Sequence, residues 1–123
     1  MTEQQIQNQI IAMIRAYGGW CQRINSGSIS QTYTDRHGRT SHRRIKMADK
    51  GTPDIIACIK GIFVGVEVKK DARAYKEWKM QKTDTHVAQH MQKNWILEAG
   101  GIYLIGYNVE QIEEDLRSLK LIS

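Results

Sequence analysis

Apolar residues near the start of the chain recur at the spacing of a helix. Ile6, Ile10, Met13, Ile14 and Tyr17 form one stripe among polar neighbours, so a helix is predicted over about 3–17. Thr2 with Gln5 reads as a capping box at its start. Ala16-Tyr17-Gly18-Gly19-Trp20 then reads as helix end, glycine cap and strand start, and Glu98-Ala99-Gly100-Gly101-Ile102 repeats the pattern later. Strands are predicted over 20–24, 54–59, 62–69 and 102–107, and Asp35-Arg36-His37-Gly38 suits a hairpin turn inside the polar stretch 25–52. A helix over about 85–99 precedes the last strand, and Asn108 caps a final helix with the stripe Val109, Ile112, Leu116 and Leu119. This order predicts an α/β layer fold in a single domain over 1–123.

Composition agrees with a packed domain. With 41% hydrophobic, 25% charged and 7% aromatic residues and a single proline, the chain is neither disordered nor collagen-like. The longest mostly apolar stretch, 55–68, contains Lys60 and Glu67 and is too short to cross a bilayer. The first residues carry no basic or apolar leader pattern, and Cys21 and Cys58 lack any CxxC or metal-ligand spacing. Both cysteines are expected to be reduced and buried in a cytoplasmic protein. Charge is unevenly distributed: residues 23–82 hold 14 Lys and Arg against 6 Asp and Glu, and the remainder 4 against 7. A basic middle points to a polyanion partner, nucleic acid first, or else to a solvated basic surface.

The candidate chemistry lies in Gly51-Thr-Pro-Asp54-Ile-Ile-Ala-Cys-Ile-Lys-Gly-Ile-Phe-Val-Gly-Val-Glu67-Val-Lys69. In the second strand Ile62, Val64, Val66 and Val68 share the core face, and Phe63, Gly65, Glu67 and Lys69 share the other. Closing the hairpin with Lys60-Gly61 as a two-residue turn pairs Ile59 with Ile62, Ala57 with Val64 and Asp54 with Glu67. Directly opposed side chains lie about 4.5–5.5 Å apart at Cβ, where like charges repel. A divalent cation between the carboxylates turns repulsion into binding, and hard oxygen ligands favour Mg²⁺ or Mn²⁺. Lys69 reaches toward the same place, where an ammonium orients a water or stabilises charge developing on a phosphate. Metal plus lysine suits hydrolysis of a phosphodiester. The plainer alternative, a Glu67–Lys69 pair on a solvated face, leaves the opposed aspartate unexplained.

Pro53-Asp54 followed by Glu67-x-Lys69 resembles the PD-(D/E)xK nuclease superfamily, and the surrounding residues resemble its VRR-NUC family of virus-type replication-repair nucleases. The pieces are Glu3-Gln-Gln-Ile6-Gln7, Arg23-Ile-Asn25-Ser26-Gly27, Gly51-Thr-Pro-Asp54, Glu67-Val-Lys69, and Gln89 ahead of Gly100-Gly101, in order across residues 3–107. The resemblance implies a restriction-endonuclease-like α/β core, a central mixed β-sheet flanked by α-helices. It implies that Asp54, Glu67 and the backbone carbonyl of Val68 bind Mg²⁺ or Mn²⁺, with Lys69 the catalytic lysine. Glu3 matches the first-helix acid that approaches the metal, although an anion at a helix N-terminus explains it equally well. Gln89 matches the site glutamine, with Gln92 one turn later as the competitor. The implied function is a metal-dependent DNA endonuclease, acting as a homodimer on branched duplexes such as Holliday junctions or flaps. Its rival is a catalytically silent nucleic-acid-binding module of the same fold.

Nucleic-acid contacts are expected from Arg23 and Ser26, from Arg43, Arg44 and Lys46, and from Lys70, Arg73 and Lys76. The crossing from Lys69 to the glutamine helix is longer here than in the family pattern. Its cations recur at every third position and so wind around any helix, which predicts an adaptable polyanion-binding arm over 71–82. Tyr75 and Trp78 within it either stack on unpaired bases or cover the core edge. His86 and His90 lack the glutamate of an HExxH site and read as surface histidines. With neither a glycine-rich phosphate loop nor a serine or cysteine nucleophile motif, no nucleotide cofactor and no membrane partner are expected.

Overall fold

The computed structural model describes residues 1–24, 28–46 and 48–123, and for 28–30 and 44–46 the backbone alone. The first helix, α1 (Glu3–Ala16), is capped as its sequence dictates. The Thr2 hydroxyl accepts from the Gln5 amide, and the Gln5 side chain accepts from the Thr2 amide. Gly18, at φ +86°, turns the chain into β1 (Trp20–Arg23), a left-handed step that a Cβ would oppose. Next come β2 (Ser28–Thr34) and β3 (Thr40–Lys46), then β4 (Ile55–Ile59) and β5 (Ile62–Val68). Helices α2 (Ala72–Lys79) and α3 (Asp84–Glu98) lead to β6 (Ile102–Gly106) and the closing helix α4 (Val109–Ser118).

The central sheet runs β1-β4-β5-β6, antiparallel except for the parallel pair β5 and β6, and β2 and β3 pair only with each other. This is the expected mixed sheet with flanking helices. Lys60 and Gly61 both take positive φ, 52° and 79°, and make the two-residue turn that matches strand twist. The resulting pairs, Ile59 with Ile62, Ala57 with Val64 and Ile55 with Val66, are those the sequence predicts. One sheet face meets α1 and α4 through Ile6, Ile10, Ile14, Ile112 and Leu116, packed on Ile55, Ala57, Val64, Val66 and Val68. These side chains supply the apolar burial that holds the layers together.

The opposite face of β5 lies under α3, and two glycines let that helix settle close. A Cβ on Gly65 would stand 2.8 Å from the Pro53 ring and 3.2 Å from Ile96 of α3. At Gly51, φ is +85° and a Cβ would stand 2.4 Å from the Ala88 backbone.

Several local expectations are corrected. The segment 71–82 is not an adaptable arm, because Asp71 caps α2 by accepting from the Ala74 amide and Trp78 is buried at 2% exposure. Trp78 stacks on the His90 ring at 3.9 Å and flanks Tyr103, while Tyr75 stacks between Trp78 and Tyr107. Burial of the aromatics therefore prevails over the winding of the cations, and Trp78 covers core instead of awaiting a base. His86 and His90 are half-buried. Cys21 is buried as expected, but Cys58 is exposed, since alternation along β4 gives the core face to Ala57 and Ile59; both thiols are free. Leu119, the C-cap of α4, is likewise exposed. No helix among the described residues is long and apolar enough to cross a membrane.

The Gly51 contact yields a test. Gly51→Ala adds a left-handed Cβ penalty and a backbone clash with α3, so urea unfolding should show a loss of about 2–4 kcal/mol. Ala at the exposed turn position Gly38, which has the same φ sign but open space around it, should cost less.

Candidate active site

The β4 ladder ends at Ile55, and the residue opposite Val68 would be Pro53. The Val68 amide instead donates to Asp54 Oδ2 at 2.8 Å, while the Asp54 carbonyl accepts from the Ile24 amide at 2.7 Å. Asp54 is thus pinned by two neighbouring strands with its carboxyl turned to the end of β5. There it comes within hydrogen-bonding reach of the Glu67 carboxyl. The regular ladder stops at Ile55 with Val66, so Asp54 and Glu67 meet one step beyond the paired register and not as a ladder pair.

Glu67 is 2% exposed. Its Oε1 accepts from Gln89 Nε2 at 3.0 Å and lies 3.5 Å from Lys69 Nζ. Gln89 Oε1 accepts from Lys69 Nζ at 3.0 Å, so the amide bridges the cation and the carboxylate. Of the two candidate glutamines, Gln89 is the one that reaches the pair, being buried on the inner side of α3. The backbone closes the cluster as well, since the Lys69 amide donates to the Gly106 carbonyl at 2.9 Å.

One atom in this cluster is unsatisfied: Glu67 Oε2 is buried without a hydrogen-bond partner. Two carboxylates can share an edge only through a proton or a cation, and an orphaned anionic oxygen is costly in a low dielectric. The donor set fits a hard divalent ion. Among the described residues no three His, Cys, Asp or Glu side chains gather at metal-binding distance. An ion here would take Asp54, Glu67 and the Val68 carbonyl, and fill its shell with water and phosphate oxygens, as Mg²⁺ commonly does.

Electrostatics follow this geometry. Burial first, then the Asp54 charge, pushes the Glu67 carboxyl up to about 9, and burial also raises Asp54 despite the Val68 amide. Glu3, at the first turn of α1, is raised by partial burial and by the Asp54 charge, so it stands within the field of the site. Arg23 donates to Asn8 Oδ1 and its charge also acts on Asp54. Lys70 and Arg73 line a polar cleft with Asp71 and Glu77 beside the site, Arg73 being 3.5 Å from Glu77, and Lys76 is exposed on the same helix. Arg43 lies away on β3. Ser26 and the side chains of Arg44 and Lys46 lie outside the described residues.

Two further buried polar groups stand near the pair, on Tyr103, which no motif marks, and on His86, expected at the surface. The Tyr103 hydroxyl is buried without a partner, and burial with the Glu67 and Asp54 charges holds it far above its usual range. Its only sequence signal was a polar-tipped aromatic in an apolar strand. His86 precedes Gln89 by one turn, has a buried, unpartnered Nδ1, and is held below its ordinary pKa by burial and by Lys69.

The raised Glu67 carboxyl has a measurable consequence in the ion-free chain. The folded state keeps a proton that the unfolded chain releases near its ordinary 4.5, so stability is full below that pH and falls as pH rises toward about 9. In EDTA the melting temperature should therefore drop between about pH 5 and pH 9. Mg²⁺ should offset the drop, and Glu67→Gln should flatten it.

No protein-family model matches the chain, and no curated protein matches it. Among solved structures, one titled VRR_NUC domain superposes with a TM-score of 0.57 at 22% identity, covering 96% of this chain and 97% of that one. The sheet order, the flanking helices and this near-complete mutual coverage lead to one structural conclusion: the chain has the fold of a VRR_NUC domain.

Proposed function

We propose that this chain is a PD-(D/E)xK-type nuclease of the VRR-NUC family that hydrolyses DNA phosphodiester bonds with Mg²⁺ or Mn²⁺. The observation that carries the reading is Glu67 Oε2, buried and unpartnered beside Lys69 and within the field of the Asp54 charge. The shared fold with a VRR_NUC domain supports it.

Asp54, Glu67 and the Val68 carbonyl would hold a divalent cation, which when bound would supply positive charge for the phosphate and lower the pKa of a water. Lys69 is the catalytic lysine: its ammonium orients the attacking water and stabilises charge on the phosphate oxygens. Gln89 holds that ammonium by accepting one of its protons and keeps Glu67 Oε1 in place by donating to it. Glu3 adds negative charge on the α1 side of the site, and the burial of Glu67 and Gln89 keeps bulk water away. Arg23, Lys70, Arg73 and Lys76, together with Ser26, Arg43, Arg44 and Lys46, bind the DNA backbone. The chain acts as a homodimer on branched duplexes, where two sites address two strands, so sedimentation should return twice the chain mass.

The test is cleavage of a labelled four-way junction and of a linear duplex by the full chain. Mg²⁺ should give cutting and EDTA none, with the junction cut faster. Asp54→Asn and Lys69→Ala should each lower the rate by about 10²–10⁴-fold while DNA binding persists. Intact binding with no Mg²⁺-dependent cutting by the parent chain would instead establish a silent binding module.

A further inference from the structure

Among the described residues, the β2–β3 ribbon adds no side chain to the Asp54–Glu67 cluster, and its surface is unlike that of the core. From Gln31 to Arg43 every residue is exposed except the half-buried Ser41. Cross-strand side-chain bonds tie it together: Thr32 to His42 at 3.0 Å, Thr34 to Thr40 at 3.3 Å, and Arg43 donating to Gln31 at 2.9 Å. Between residues 24 and 48 the cations are Arg36, Arg39, Arg43, Arg44 and Lys46, and the acid is Asp35 alone. Asp35 is used internally, its Oδ1 accepting from the His37 and Arg39 amides at 2.8 and 2.9 Å. That turn holds Arg36, His37 and Arg39 at the exposed tip.

Charges on an open ribbon often serve to block edge-to-edge pairing. Arg36 and Arg39 lie in the turn, outside both paired strands, and so protect no edge. The ribbon is a two-stranded sheet of its own. Its strands, about 4.8 Å apart, make a band that the major groove of B-DNA, about 12 Å wide and 8.5 Å deep, admits. The major groove of an A-form RNA duplex is too narrow and deep for this.

We propose that the β2–β3 ribbon enters the major groove of duplex DNA, with Arg36 and Arg39 meeting phosphates and guanine edges. The proposal rests on the nuclease reading for its choice of nucleic acid and adds the groove and the residues that enter it. Arginine suits this position because its planar fork pairs with both phosphate and guanine.

The test is fluorescence anisotropy of the full chain in EDTA, with labelled duplex DNA, duplex RNA of the same sequence, and single-stranded DNA. Duplex DNA should bind on the order of tenfold tighter than duplex RNA, and methyl green in the major groove should compete where netropsin in the minor groove does not. Arg36→Ala with Arg39→Ala should weaken duplex DNA binding by about tenfold or more and reduce the slope of log affinity against log salt by about 2. Arg36→Lys with Arg39→Lys should restore the slope but not the full affinity. Equal binding of DNA and RNA by the parent, competition by netropsin alone, or an equal loss on single strands in the Ala variant would overturn the proposal. Cutting that depends on Asp54 without groove preference would overturn the ribbon alone, and groove preference without cutting would overturn the nuclease reading alone.

Discussion

Two carboxyl groups, Asp54 and Glu67, are held against each other where the β4–β5 hairpin ends, and the rest of the site is arranged around that conflict. In the ion-free chain the conflict is eased by a proton, which burial and the Asp54 charge keep on Glu67 well above the ordinary carboxylate range. Lys69 and Gln89 relieve part of it through Glu67 Oε1, but Oε2 is left without a partner. A fold selected for stability alone would not keep that atom buried. The arrangement makes chemical sense as a seat for positive charge supplied from outside the chain.

The scaffold is built to keep the conflict in place. The left-handed Lys60-Gly61 turn sets a register that a slip of one residue would invert, exposing Glu67's face to the wrong side of the sheet. Gly51 and Gly65 remove the side chains that would hold α3 away, and so bring Gln89 down to Glu67. On the other face α1 and α4 bury the apolar side of the same strands. The apolar layer thus supports the polar one, with Glu67 on β5, Gln89 on α3, and Asp54 and Lys69 directly flanking β4 and β5.

Around this rigid centre the basic surface divides into two kinds. Lys70, Arg73 and Lys76 stand on or beside α2, next to the acidic pair and fixed by the burial of Trp78. The arginines of the β2–β3 ribbon stand apart from the central sheet. Under the proposed function, the first group would act on the phosphate being cut and the second on duplex farther along. Such a division matches the general separation between contacts that position a nucleic acid and contacts that read it.

Much of this was legible in the chain itself. The capping box at Thr2, the glycine caps, the two-residue turn and the alternation along β5 are local rules of backbone geometry, and together they determine the β4–β5 register from Ile59 with Ile62 to Ile55 with Val66. What sequence could not decide depended on which surfaces meet. The cations of 71–82 argued against a fixed helical face, yet α2 forms because Trp78 finds His90 and Tyr103 to stack on. Gln89 and Gln92 differ by one turn, and the approach of α3 at Gly51 and Gly65 selects the former. Tyr103 and His86 carried no motif, because an unpartnered buried atom is a property of packing. Local chemistry wrote the hairpin and its acids; long-range burial determined which neighbours close over them.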